Sequence, residues 1–202
     1  MKSPWLAILG LLLASCGSSR PTGTNLGAPP ESFLSYPAHS SEGIVNASAK
    51  YAYPADQKRE FLTNILDDVQ IIPVELRVNL RGEGADEAQI KLTPDSMNLR
   101  LYLQNGVALS NVDIDEFMGK LAKKPAIEIR NKKFNGGLLK AADTSGYLYF
   151  AIHPKDKFQV EGDKLIYTAD GVTRSLDIDR SLLAFDVIID DHPRPFYVGI
   201  RP

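Results

Sequence analysis

Few residues of this 202-residue chain could act as acids, bases, nucleophiles or metal ligands. The chain has three histidines, His39, His153 and His192, and one cysteine, Cys16. Two carboxylates precede one of these histidines in the run 190–193, Asp-Asp-His-Pro. Imidazole and carboxylate groups suit a zinc ion, but a site here would require His153 and His192 to meet in space. Because both stand next to turn-forming residues, we assign them to loops and predict no metal or other cofactor site.

Common catalytic motifs do not occur in the sequence. We find no G-x-S-x-G, G-x-x-x-x-G-K-[ST], G-x-G-x-x-G or H-E-x-x-H pattern. A hydrolytic site would need two carboxylates or a metal in one cleft, and its best candidates are Asp186, Asp190, Asp191 and His192. We therefore predict that the protein has no enzymatic activity and no catalytic residue. A cell-wall or polysaccharide hydrolase is the alternative.

One acidic run resembles the beginning of a calcium-binding loop. Asn111, Asp113 and Asp115 match its first ligand positions. The later positions require Gly and Glu, and Glu116 and Ala122 stand there instead. The run is better explained as the N-terminus of a helix, where acidic residues favour the helix dipole.

Charge is unevenly distributed along the chain. The net charge is −2 with a pI near 5.9, which excludes a nucleic-acid binder that relies on strong overall basicity. Between residues 120 and 140, Glu128 is the single acid among seven cations. Such a segment suits an anionic lipid, an anionic polymer or an acidic envelope protein; an ordinary solvated face is the alternative. The cations of this possible interaction patch are Lys120, Lys123, Lys124, Arg130, Lys132, Lys133 and Lys140.

The N-terminus is typical of a secretory signal peptide. Lys2 is the only charged residue before Arg20, and residues 5–13 form an uncharged, mainly apolar stretch. A transmembrane helix needs about 20 such residues. A basic start, a short apolar stretch and small residues at its end indicate a cleaved signal peptide. We predict that residues 1–15 are removed.

The end of this segment, Leu13-Ala14-Ser15-Cys16, resembles the lipobox of bacterial lipoprotein precursors. The resemblance covers the first sixteen residues and implies cleavage before Cys16, a diacylglycerol group on its sulfur and a further acyl chain, such as palmitate, on its amine. Gly17, in place of an inner-membrane Asp signal, implies the outer membrane with the domain in the periplasm; the surface of a Gram-positive cell is the alternative. Each buried methylene contributes about 0.8 kcal/mol, so two or three chains would hold the protein on a bilayer.

The sequence after Cys16 divides into a spacer and a domain. Pro21, Pro29, Pro30 and Pro37 interrupt residues 16–43, and Ser and Gly fill most of the gaps. Such a segment buries too little apolar surface to offset the entropy of ordering it. We predict a lipidated, flexible tether over residues 16–43 and a single domain over residues 44–202.

The domain sequence alternates between apolar and polar residues. Val74, Leu76, Val78 and Leu80 form one apolar set, and four further runs follow the same period of two, near residues 99–103, 172–178, 183–189 and 196–200. This period indicates strands with one buried face, as in antiparallel sheets. Turn signals such as Asn105-Gly106 and Asp170-Gly171 separate the runs. We predict a mainly β fold, an antiparallel β-sandwich of immunoglobulin-like or related type.

Two departures from this alternation are visible. Residues 147–152 are apolar on both faces, which favours a central strand. Helical spacing of apolar residues occurs near residues 61–66, and again near residues 113–121, where Asp113 would cap the helix. We therefore expect one or two short helices beside the sheets.

These features favour a lipid-anchored envelope protein that binds a protein partner or envelope polymer as an accessory or assembly subunit. The hydrolase is one alternative. A second alternative is a carrier of a small apolar ligand, enclosed by aromatic residues of the domain. The aromatic residues considered for that pocket are Tyr147, Tyr149, Phe150, Phe158, Tyr167 and Phe185.

Overall fold

The computed structural model describes residues 39–52, 71–85, 87–94, 99–116, 131–153 and 155–201. The described residues do not include the predicted signal sequence, Cys16, most of the predicted tether or the helix predicted near residues 61–66. The second predicted helix also lies outside them beyond residue 116. Of that second helix the described part is a single 3-10 turn at residues 114–116.

The described chain is mostly β-structure and has almost no helix, which confirms the mainly β prediction. A second 3-10 turn spans Ile178–Arg180. The strands are β1 (His39–Glu42), β2 (Val45–Tyr51), β3 (Ile71–Leu80), β4 (Ile90–Leu92), β5 (Arg100–Tyr102), β6 (Ala108–Ser110), β7 (Gly137–Leu138), β8 (Thr144–Ala151), β9 (Lys157–Glu161), β10 (Lys164–Ala169), β11 (Val172–Asp177), β12 (Ser181–Ile189) and β13 (His192–Arg201).

Ten of these strands form one large sheet. Its main path runs β6-β5-β12-β13-β2-β3-β8, with β1 added to β2, β4 to β12 and β7 to β4. The strand pairs are antiparallel except β13 with β2, which is parallel. The two ends of the path meet because Asn111, just after β6, bridges to Phe150 of β8. The sheet is therefore sandwich-like and nearly closed.

The remaining strands, β9, β10 and β11, form a separate antiparallel sheet. Phe158, Leu165 and Tyr167 project from it into the same hydrophobic cluster as Leu183 and Val198 of the large sheet. The two sheets therefore share one core. Alternation explains how they do so, since every second residue of a strand faces the same side.

Tight turns set the register of the hairpins. Asp170 and Gly171 connect β10 to β11 with φ values of 51° and 75°. Positive φ at both central residues is the two-residue turn that suits the twist of antiparallel strands. The predicted turn at Asp170-Gly171 is thus confirmed. Asp190 and Asp191 form the equivalent turn between β12 and β13, with φ values of 51° and 60°.

The predicted central position of residues 147–152 is wrong, because β8 is the last strand of the path. Its second edge is nevertheless covered. The Val112 N–H donates to the Tyr149 carbonyl over 2.8 Å, and the Phe134 N–H donates to the Tyr147 carbonyl over 2.9 Å. These connections bury a terminal strand much as a neighbouring strand would, which accounts for its apolar sequence.

The structure also places a strand before residue 44. β1, at His39–Glu42, pairs with β2 within the segment assigned to the tether. The turn that joins them places Gly43 at φ 59°. Among the described residues, there is no helix with the length and hydropathy of a membrane-spanning segment.

Candidate functional site

A cleft of about 260 Å³ lies on the outer face of β2 and β3. The strand register creates it, because Asn46 stands opposite Asn79 and Ser48 opposite Arg77. Their neighbours in the two strands, such as Val45 and Val78, face the core. We call this cleft the polar cleft; its lining residues are Asn46, Ala47, Ser48, Arg77, Asn79, Arg81 and Asp143.

Asn79 is the most deeply placed polar side chain of the polar cleft, with 7% of its surface exposed. Its Nδ2 donates a hydrogen bond to the carboxylate of Asp143, which lies 64 residues later in the sequence. Its Oδ1 is buried and accepts no hydrogen bond from the described residues. An unmet buried acceptor costs about 1–3 kcal/mol, so the polar cleft contains an acceptor that a donor would stabilise.

The two arginines of the polar cleft differ in their partners. Arg77 lies beside Glu75, with its Nη2 at 2.6 Å from Glu75 Oε1, and Lys50 lies 3.1 Å from Oε2. Partial burial opposes ionisation of Glu75, but hydrogen bonds from Arg77 and Lys50 outweigh it and lower the pKa of the carboxyl. Arg81 is exposed and forms no ion pair with the described residues. It is therefore the cation of the polar cleft whose charge is not already offset.

Part of the predicted basic segment runs next to the polar cleft. The carbonyl of Lys140 accepts a hydrogen bond from the Leu80 N–H over 2.8 Å, which places the backbone of this exposed lysine beside the end of β3. Lys132 places its ammonium 5.6 Å from the ring centroid of Tyr147 on β8. Lys120, Lys123, Lys124 and Arg130 lie outside the described residues.

Lys133 differs from Lys132 and Lys140, the other described cations of the basic segment, because it forms ion pairs with acidic side chains. Its Nζ lies 2.7 Å from Asp113 Oδ1 and 2.8 Å from Asp115 Oδ2. The hydrogen bond from Lys133, and then one from the Asp115 N–H, hold the pKa of Asp113 below its ordinary value. The acidic run that resembles a calcium loop thus binds an ammonium group. Its partner lies 18–20 residues away, so no local motif could reveal the pairing.

The residues considered for hydrolysis occupy one hairpin. Asp186 lies in β12 opposite Pro195 and is 8% exposed, whereas Asp190 and Asp191 form the exposed turn and His192 begins β13. Asp190 lies four residues after Asp186, which is about 13 Å along an extended strand. Paired catalytic carboxylates of glycoside hydrolases stand roughly 5 to 9.5 Å apart. The spacing therefore does not favour Asp186 and Asp190 as such a pair.

The histidines do not converge on a metal centre in the part of the chain that is described. His153 accepts a hydrogen bond from the Lys155 N–H at its Nδ1 over 3.3 Å, as a loop residue stabilising its own turn. Within the described ranges, no three His, Cys, Asp or Glu residues are placed so that they could hold a metal ion.

A second cleft, of about 370 Å³, opens at one end of the large sheet. The β1–β2 turn, the residues before β4 and the β12–β13 hairpin surround it. We call it the apolar cleft; its lining residues are Gly43, Ile44, Val45, Ala88, Gln89, Ile90, Val187, Ile189, Asp190, Arg194, Pro195 and Phe196.

The apolar cleft is not the pocket predicted from the aromatic residues. None of the six aromatic side chains considered for a carrier lines it. Phe150, Phe158, Tyr167 and Phe185 pack in the main core, and Tyr149 is also buried. The cleft is lined instead by mainly apolar residues at strand ends, with Phe196 as its aromatic residue. The sequence could not indicate this set because it comes from three separate parts of the chain.

No protein-family model matches this sequence, and no curated protein is similar to it. One solved structure that resembles it is that of ycdA, a presumed lipoprotein from Bacillus subtilis, with 16% sequence identity and a TM-score of 0.38. The match covers 81% of this chain and 38% of ycdA. The chain thus spans well under half the length of that protein, and the two folds are only loosely alike.

Proposed function

We propose that this protein is a bacterial envelope lipoprotein, held on the outer membrane by lipid on Cys16, whose β-domain binds a partner without catalysing a reaction. The observation that carries the proposal is the sequence Leu13-Ala14-Ser15-Cys16 directly after a short apolar stretch with a basic start. Multiple acyl chains on one residue would keep the domain at a bilayer surface.

The binding role is supported by the two clefts and by the arrangement of the chemical groups. The polar cleft presents amide, hydroxyl, guanidinium and carboxylate groups on a rigid pair of strands. The hairpin carboxylates are separated along β12 or exposed in its turn. A preformed cleft with a few polar groups in fixed positions is typical of a ligand-binding site.

Lipidation is tested by growing cells that express the full-length protein with labelled palmitate. We expect label on the wild-type protein and its recovery in the outer-membrane fraction. Cys16→Ala should lose the label and leave the membrane, whereas the neighbouring Ser18→Ala should keep both. An unlabelled wild-type protein would contradict the proposal.

Partner binding is tested by crosslinking in cells, followed by purification of the wild type and of Cys16→Ala. A defined partner recovered with the wild type supports an accessory subunit. Recovery of that partner with both forms would show that the domain carries recognition and that lipid raises its local concentration. Turnover of an envelope polymer by the purified protein, abolished by Asp186→Asn, would instead support the hydrolase.

The apolar cleft favours a second candidate function, the binding of a small apolar ligand. Its volume of about 370 Å³ falls within the range of known ligand pockets, about 300–1,000 Å³. Native mass spectrometry of the purified full-length protein should then show a bound molecule. Ala88→Phe, which fills the cleft, should release it, whereas Ala108→Phe on exposed β6 should not. A wild type without adduct would exclude this function.

A further inference from the structure

The polar cleft indicates the chemical class of the ligand. We propose that it binds an acidic saccharide, a hydroxyl-rich ligand that carries a single carboxylate. This inference rests on the proposed non-catalytic binding role and assigns that role to named residues.

The strands of the polar cleft have no open edge with which a peptide could pair. β2 pairs with β3 along one edge and with β1 and β13 along the other. β3 is likewise enclosed by β2 and β8. A peptide that binds by adding a strand needs an open edge, and these strands offer none. Recognition at the polar cleft therefore depends on side chains.

The polar cleft contains a mixture of hydrogen-bond donors and acceptors. Asn46 and Ser48 can both donate and accept hydrogen bonds, whereas Asp143 and the Oδ1 of Asn79 only accept. The Asn79 Oδ1 has no donor among the described residues. Sugar hydroxyl groups both donate and accept, and several of them lie side by side on one ring. A saccharide can therefore satisfy this mixture, including the unmet acceptor, better than an apolar ligand can.

The charged groups of the polar cleft limit the charge of a ligand that could bind there. Arg77 is already bound to Glu75, but exposed Arg81, which lines the polar cleft two residues after Asn79, forms no ion pair with the described residues. A guanidinium binds a carboxylate with two parallel hydrogen bonds. Asp143, which accepts a hydrogen bond from Asn79 in the same cleft, repels a ligand with more negative charge, such as a phosphate dianion. The arrangement thus fits one carboxylate on a hydroxylated ring.

The test measures binding calorimetrically with the full-length protein in detergent. Galacturonate, a hydroxylated ring with one carboxylate, is the probe, and galactose is its neutral counterpart. We expect galacturonate to bind and galactose to bind about tenfold more weakly or not at all, since charged hydrogen bonds contribute more than neutral ones.

Three variants locate the site. Arg81→Ala should weaken galacturonate binding about tenfold, and Asn79→Ala should weaken binding of both saccharides. Arg174→Ala removes the same charge from exposed β11 and serves as the matched control, which should bind like the wild type. Because Arg81 is exposed, its removal leaves folding intact even if Asn79→Ala is unstable.

Equal binding by Arg81→Ala and Arg174→Ala, equal affinity for the two saccharides, or no binding of either would overturn the proposal. Capture of a protein that Arg81→Ala still binds, together with no saccharide binding, would likewise overturn it. None of these results affects palmitate labelling of Cys16. A failure of this inference is thereby distinguished from a failure of the proposed lipoprotein function.

Discussion

The two faces of the β2–β3 pair have opposite chemistry, although alternate residues of the same two strands form them. The inner face carries Val74, Leu76 and Val78, which are at most 1% exposed. The outer face carries Glu75, Arg77 and Asn79 in the intervening positions, and holds the ion pairs and the polar cleft. Residues that stabilise the core therefore alternate along the strand with residues of the outer, polar face.

The largest difference should appear when one residue is truncated on each face. Leu76→Ala removes a fully buried side chain and should lower the free energy of unfolding by about 2–5 kcal/mol. Arg77→Ala, its exposed neighbour, should lower it by less than about 1 kcal/mol. Denaturant unfolding of both variants measures the comparison. A similar loss for both would show that the outer face also carries the fold.

Adding volume to the inner face should also destabilise the domain. Gly146 pairs with Leu76, and a Cβ at this position would lie 2.6 Å from the Phe134 Cα and 2.8 Å from its backbone nitrogen. Gly146→Ala should therefore cost about 1–3 kcal/mol, while Ser145→Ala, exposed beside it, should cost little. Thermal unfolding of the two variants tests this expectation. An unchanged midpoint for Gly146→Ala would contradict the close packing at Phe134.

A smaller effect concerns the pH dependence of the outer face. Because the pKa of Glu75 lies below its ordinary value of 4.5 in the folded protein, its contribution to stability is present above that value. The contribution is lost as the pH falls through the lowered pKa.

Arg77→Met should raise the pKa of Glu75, with Lys50 remaining as its other partner, and Arg174→Met should leave it unchanged. NMR titration of the Glu75 carboxyl carbon measures both. A carboxyl whose pKa stays the same in Arg77→Met would show that the observed pair contributes little in solution.

Local sequence patterns predicted the strands because alternation is a property of adjacent residues. Val74 to Leu80 lie in β3, and Leu183 to Ile189 lie in β12. The Asp170-Gly171 hairpin was equally predictable, since its φ values depend on the two turn residues themselves.

Strand order was not predictable in the same way. The parallel pairing of β13 with β2 joins strands separated by most of the domain, and the apolar residues of β8 reflect cover from Val112 and Phe134 rather than a central position. The polar cleft was missed for a related reason. Asn46, Asn79 and Asp143 are ordinary polar residues until the register places them together.

The account depends most directly on the chemical state of Cys16, which the intact mass of the protein purified from its host membrane would reveal. We expect a chain that begins at Cys16 and carries the added mass of a diacylglyceryl group and a further acyl chain. A chain that retains residues 1–15, or one that begins elsewhere without lipid, would contradict the proposed function.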